Sequence, residues 1–419
     1  MRIATSQIYS SSLSTMENQQ GQLLQVQQQI STGVSLSNPA DNPLGAAQAV
    51  QLSATSATLT QYASNQNMAL SSLQLEDSTL GSVTSTLQAI NQQIQSAING
   101  SFNDADRQAL AKQLQGERSQ LFTLANTTDG QGNYLFSGFQ STSQVFTNKT
   151  GGGVQYNGDG GQRLVQVGGS RQISVGDTGA SVFLSVSAVG SQVVAGGSSA
   201  NTGTGTISGV TVTDPTQATN GHPLSIQFGT DATTGALTYS VMDDSTSPAT
   251  ALSSNQPYKD GSPIELGAAG KIGMNVTITG TPVAGDTFSV TPATAPQNSS
   301  VFSTIDSVIA ALQTPVNGSP SAGANLTNAL QSGLTAIGNS ISNVVTIQAS
   351  VGGREQEVKA LQTVTSTNAL QVTSNLNDLT STDMTAAITQ YTQLSNALTA
   401  SQKSFAATQN LSLFQYINP

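Results

Sequence analysis

The chain has no cysteine and no tryptophan, a single histidine, and only 12 lysines and arginines among 419 residues. Each shortage excludes something. Without cysteine there is no disulfide framework, so a chain displayed outside the cell must gain stability elsewhere, for example by assembling. One histidine and no thiol exclude the usual nitrogen- and sulfur-rich zinc sites. The basic residues form no run, and the formal charge of −10 opposes a nucleic-acid partner, because phosphate binding needs clustered lysine and arginine. Charged residues make up 8% of the chain and hydrophobic ones 36%, too few for the thick core of a typical enzyme. Apolar runs are short too. None approaches the roughly 18 residues of a membrane span, so no membrane insertion is expected. "MRIATSQIYSSSLSTM" has no uninterrupted apolar stretch ahead of a small-residue cleavage site, so export would use an uncleaved signal.

What the chain does have is glutamine, serine, threonine and asparagine set on helical spacing. Leu13, Met16, Leu23 and Ile30 fall on steps of three, four or seven, with Gln20 and Gln27 filling the seam between them. From Leu52 the series Leu59, Tyr62, Ala69, Leu73, Leu80, Val83, Leu87, Ile90, Ile94 keeps the heptad rule. Unbroken to Ile98, that helix would be roughly 70 Å long at about 1.5 Å per residue. "NGSFNDADRQAL" then reads as a turn and a new helix capped by Asp104 or Asn103, with Leu110, Leu114, Leu121 and Leu124 as its stripe.

From about Ser141 to Ser300 glycine and threonine dominate and the period changes to two. "RLVQV", "RQISV", "LSIQF", "LTYSV", "NVTIT" and "DTFSV" read as short strands between turn signals. "AGGSSANTGTG" reads as a flexible linker, so this β-rich insert stands as one body or as two modules, 141–195 and 206–300. Helical spacing returns with Ile305, Val308 and Leu312. It continues through Leu330, Leu334, Ile337, Ile341, Val344, Val351 and Val358, then Val372, Leu376 and Leu379, and Ile388, Tyr391, Leu394, Leu398 and Phe405. The fold class is α+β: a long antiparallel α-helical coiled coil or bundle formed by both chain ends, carrying an inserted β-rich domain. The divisions are 1–140, 141–300 and 301–419.

Sites for chemistry are poorly supplied. His222 sits in "NGHPLS", a turn, and no G-x-S-x-G elbow precedes it. Asp243 and Asp244 close a strand, and an exposed turn explains them far better than a hydrolase pair does. "ELGAAGKIG" has Glu265 and Ile272 where a phosphate loop needs glycine and serine or threonine. No catalytic residue, cofactor or metal is expected, and no enzymatic activity.

The stretch "ISTGVSLSNPADNP", together with the start "MRIATSQIY", resembles the N-terminal region of flagellin-like proteins, whose members carry a segment like "ISTGKRLxxPSDDP". Ile30, Ser31, Thr32, Gly33, Leu36, Pro39, Asp41 and Pro43 match it, while Val34-Ser35, Ala40 and Asn42 depart from it. "GNYLFSGF", with Gly132, Tyr134, Phe136, Gly138 and Phe139, is similar to a second motif, found in the hook–filament junction branch and not usual in flagellin itself. The ending, with Leu411, Leu413, Phe414 and Tyr416 in "NLSLFQYINP", is similar to that branch too. The resemblance covers about residues 1–190 and 325–419. It implies a structural adapter of the extracellular flagellum, exported unfolded without signal cleavage. Like chains would form a ring between the first hook-associated junction protein and the flagellin filament. An export chaperone would hold the apolar C-terminus.

In that reading Gly33 and Pro39 break the first helix so that the loop packs on a neighbouring subunit. Pro43 opens the next helix and Asp41 caps it. The alternative is a loop that only turns the chain within one subunit. Two other functions compete with the adapter: a flagellin subunit, and a surface adhesin on a coiled-coil stalk.

Overall fold

The computed structural model describes residues 5–36, 38–40, 42–99 and 102–410. Three helices come first: α1 (Thr5–Thr32), α2 (Pro43–Asn99) and α3 (Asp104–Ala125). Two small hairpins follow, β1 (Phe146–Asn148) with β2 (Val154–Tyr156) and β3 (Leu164–Gln166) with β4 (Gln172–Ser174), then the short α4 (Gly179–Phe183). Next come β5 (Val194–Gly197), β6 (Thr206–Ile207), β7 (Thr211–Val212), β8 (Leu224–Thr230), β9 (Leu237–Asp243), β10 (Thr250–Pro257), β11 (Pro263–Ala268), β12 (Lys271–Thr279) and β13 (Thr287–Thr291). The chain closes with α5 (Pro296–Ser299), α6 (Val301–Gln313), α7 (Pro320–Thr380) and α8 (Met384–Asn410). Two compact units result, residues 1–65 with 360–419, and residues 66–359, so α2 and α7 contribute to both.

In the larger unit the heptad series becomes a dry seam. Leu73, Leu80, Val83, Ile90 and Ile94 of α2 and Ile337, Val351 and Val358 of α7 are fully buried. The seam of α2 also takes in Gln66 and Glu76, both with no exposed surface. Helix α3 is capped by Asn103 in a capping box with Asp106, which resolves the choice between Asn103 and Asp104. It packs on α6 through Phe122 and Phe302, and Arg118 Nη2 reaches Asp306 Oδ2 at 3.0 Å. Around Phe302 stand Phe146 and Phe183, with ring centroids 5.7 and 5.9 Å away.

The β-rich part has two antiparallel sheets. One runs β10-β9-β8-β13-β5; the other runs β11-β12-β6, with β7 also on β12. They share one core, including Leu224, Ile226, Phe228, Val241, Ile264, Met274, Ile278 and Phe288. All six strands read from the alternating runs are present. The segment read as a flexible linker is not one. Val194–Gly197 is strand β5, and Asn201 is buried and exchanges hydrogen bonds with the Thr287 backbone at 2.8 and 2.9 Å. Thr202 N–H reaches Asp286 Oδ1 at 2.9 Å. Glycine and serine here serve close approach: a Cβ on Gly203 would come within 2.4 Å of Asp286 Oδ2.

Asparagines on α7 tie the backbone of this part to the helix. Asn328 Oδ1 accepts Ile207 N–H at 2.9 Å and its Nδ2 donates to Gly205 O at 3.0 Å. Asn339 does the same for the N–H and C=O of Gln192, both at 2.7 Å, and Asn343 donates to Ser181 O at 2.9 Å. These asparagines are buried, so each amide satisfies backbone groups that would otherwise be costly to leave dry.

In the smaller unit α1 and α8 run antiparallel. Tyr9 meets Phe405 edge-on at 5.6 Å, and Val34 after α1 bridges Ser381 before α8. That contact sets the register, and it differs from the expected stripe. The inward positions of α1 are Tyr9, Ser12, Met16, Gln19, Leu23, Val26 and Ile30, so Leu13 is 50% exposed and Gln20 and Gln27 point outward. On α8 Ala387 is buried and Ile388 is 52% exposed.

Candidate assembly surface

The "ISTGVSLSNPADNP" segment lies in the smaller unit. Helix α1 stops because Gly33 takes φ +70°, a left-handed turn at the helix C-terminus. The next residues bond to the α7–α8 corner of the same chain. Ser35 N–H donates to Thr380 O at 2.8 Å, Thr382 N–H donates to Gly33 O at 3.0 Å, and Gln29 Nε2 donates to Ser35 O at 3.0 Å. Ile30 and Leu36 are half-buried, whereas Ser31, Thr32, Pro39 and Pro43 are exposed. Pro43 is the first residue of α2. The cap the structure describes is Asn42, whose Oδ1 accepts Gly45 N–H at 3.0 Å. Asp41, expected as that cap, lies outside the described residues, as do Leu411, Leu413, Phe414 and Tyr416.

This unit has little of its own to bury. Val26 and Ala387 are the buried hydrophobic residues among its described positions. Leu24, Leu44, Val50, Val364 and Leu370 stand 55–71% exposed. Between α2 and α7, Gln48, Leu52, Asn375 and Leu379 line an open groove of about 450 Å³. The unit carries six charged residues in its sequence: Arg2, Glu17, Asp41, Asp378, Asp383 and Lys403. A nearly uncharged, apolar-studded surface associates by burying area, and identical copies meet without strong repulsion. Leu24, Leu44 and Val50 escape a reading by seam periodicity because they lie off the stripe.

"GNYLFSGF" lies in the larger unit and does a different job. Phe136 is fully buried against Phe183 at 5.4 Å, and its carbonyl accepts Gly179 N–H and the Tyr156 hydroxyl at 2.8 and 3.2 Å. Gly132 and Gly138 have φ of +85° and +72°, and a Cβ on Gly138 would fall within 2.1 Å of Asp159 Oδ1. That carboxylate accepts Phe139 N–H at 3.0 Å and Gly161 N–H at 2.8 Å. Tyr134 is half-buried, with its N–H donating to Ser141 O at 2.8 Å, and Phe139 is 64% exposed. The motif knots the end of α3 to the first two hairpins.

His222 and Asp243 meet, but not as a relay. Nδ1 lies 2.7 Å from Asp243 Oδ2 and 3.4 Å from Ser245 Oγ, so base and nucleophile would compete for one nitrogen. Asp243, expected in an exposed turn, is buried. Burial alone would raise its carboxyl pKa, but hydrogen bonds from Ser245 and His222 hold it below the ordinary range. Among the described residues no three His, Cys, Asp or Glu side chains cluster to hold a metal, and no helix is long and apolar enough to cross a membrane.

The strongest electrostatic perturbation is at Glu76. Burial first and the Asp177 carboxylate second push it from 4.5 up to about 7, opposed by the Asp177 N–H, by Arg354 and, least, by Arg163. Its Oε1 accepts that N–H at 2.8 Å, and its Oε2 is buried without a partner. Asp177 pairs with Arg354. With Arg354 already paired to Asp177, burial outweighs the opposing charges and favours the protonated form of Glu76.

Residues 3–141 match the family described as bacterial flagellin N-terminal helical region. Along its whole length the chain is similar to flagellar hook-associated protein 3 of Salmonella typhimurium, 29% identical over 415 residues, 99% of each chain. The crystal structure of the flagellar junction protein FlgL from Legionella pneumophila shares the fold at TM-score 0.65 and 26% identity, covering 80% of this chain and 100% of that one. A flagellin of Listeria monocytogenes is 30% identical over only 122 residues, 28% of this chain and 42% of that one.

Proposed function

We propose that this chain, a full-length relative of hook-associated protein 3, is a structural protein of the bacterial flagellum that joins the hook to the flagellin filament. The observation that carries the reading is the end-to-end match: 99% of both chains for the junction relative, against 28% of this chain for flagellin. The smaller unit supports it physically. A unit with two buried hydrophobic residues among its described positions, and several leucines and valines in water, is suited to being completed by neighbours.

In the finer reading like chains form a ring through Ile30–Pro43 and the adjoining helix faces. One side of the ring meets the first hook-associated junction protein and the other meets flagellin. The chain travels by flagellar export without a cleaved signal, with a chaperone covering the apolar C-terminal segment. Its role is structural, with no catalytic step.

Deleting the gene tests this. Electron microscopy should find hooks without filaments, and the medium should contain unassembled flagellin. Intact filaments would overturn the reading in favour of an adhesin. Loss of filament with no flagellin released would point to the filament subunit itself.

A further inference from the structure

Five arginines are among the described residues, and four have a carboxylate of the same chain: Arg107 with Asp104, Arg118 with Asp306, Arg171 with Glu357 and Arg354 with Asp177. Arg163 forms no ion pair with any described residue. It stands half-buried just before β3, in the wall of an open groove of about 620 Å³ in the larger unit. Leu75 of α2 and Leu135, Val165 and Val175 line the same groove, and Met68, 60% exposed, is on its lip. The acids nearby, Asp129 and Glu76, feel the charge of Arg163, but neither is in ion-pair contact with it and their hydrogen bonds go elsewhere. Asp129 on the rim accepts Gln131 N–H and Asn133 N–H at 2.8 Å and Asn133 Nδ2 at 3.0 Å, which folds its own turn. Glu76 takes the Asp177 N–H.

A largely apolar cleft whose guanidinium has no ion pair suits a carboxylate flanked by apolar side chains, because the planar fork binds a carboxylate with two parallel hydrogen bonds. We propose that the occupant is a segment of a second copy of this chain, with Arg163 gripping an aspartate or glutamate of that copy. Charge complementarity favours it: each copy carries 22 acidic against 12 basic residues, so a second copy has more carboxylates than cations to offer this guanidinium. The proposal rests on the junction reading, in which like chains assemble.

The test places the photo-crosslinking residue benzoylphenylalanine at Met68 in the full chain and irradiates isolated flagella. The expected product is a species of twice the 42.7 kDa chain, with a yield at least fivefold lower when Arg163→Glu is added and the variant still reaches the flagellum. A product with a chain of another mass, no product, or a yield indifferent to Arg163→Glu would overturn the proposal. Absence of the chain from flagella defeats the junction reading instead. The purified chain then decides the groove: a doubled species rising with concentration supports it, and a monomer alone at every concentration overturns it.

Discussion

Helix α7 belongs to both compact units, and its fate differs between them. Over Leu330, Ile337, Val344, Val351 and Val358, each seven residues after the last, the side chains are 0–2% exposed. Further along, Val372, Leu376 and Leu379 are only half-buried, and Val364 and Leu370 are 55% and 71% exposed. The residue types and spacing hardly change. What changes is the company. In the larger unit the same helix is also held by its asparagines to the β-rich part and lies in one body with α3 and α6. In the smaller unit a narrow stripe meets other narrow stripes, and Val26 and Ala387 are all the hydrophobic side chains it buries among described residues. A heptad seam therefore finds partners for one face of a helix; the remaining faces need other elements or other molecules.

The contrast is sharpest in the cores. Phe302→Ala removes the ring that Phe122, Phe146 and Phe183 surround, and should cost the larger unit about 3–5 kcal/mol in denaturant unfolding. A loss below about 1 kcal/mol would mean that this cluster is not the core it looks like.

Next in size is the pH dependence from Glu76. With its pKa raised from 4.5 to about 7, the folded protein keeps a proton that the unfolded chain gives up between those values. This group's contribution to stability is full below about pH 4.5 and is lost as the pH rises through 7, opposite to an ordinary ion-paired carboxylate. At about 1.36 kcal/mol per pH unit the loss by pH 8 is on the order of 3 kcal/mol. Glu76→Gln keeps an oxygen for the Asp177 N–H and cannot ionise, so melting temperature should fall less between pH 5 and pH 8 than in the parent chain. Identical slopes would contradict a protonated Glu76.

Smaller effects belong to the smaller unit. Asn42→Ala removes the cap on Gly45 N–H and should cost α2 about 1 kcal/mol, read as faster amide exchange over its first turn. Leu24→Ser, at a position 60% exposed, should leave the stability of the free chain within about 0.5 kcal/mol. The same substitution should lower the number of filaments per cell severalfold if neighbours cover that face. Wild-type filament counts would return Leu24 to the status of an idle surface residue.

How far the sequence foretold this molecule follows the same division. In the larger unit the buried seam positions could be read directly, because strict sevens admit one register. In the smaller unit the polar seam occupants Ser12 and Gln19 gave no apolar signal, and the exposed Leu13 gave a false one. Strand β10, "TALSSNQP", lies at a sheet edge with mostly exposed side chains, so no alternation marked it. Ala195–Gly205 looked like a linker because glycine serves flexible chain and tight packing equally well. The chemistry at Glu76 and Arg163 was hidden for another reason. One of two adjacent acids on a polar helix and an arginine before a strand gain meaning only from what the fold sets beside them.

The most direct measurement is hydrogen–deuterium exchange of the purified free chain, resolved along α7. Amides over Leu330–Val358 should exchange at least a hundredfold more slowly than those over Val364–Leu379, because the first stretch lies in a complete core and the second awaits partners. Equal protection along the whole helix would contradict the account, since the smaller unit would then be complete without neighbours.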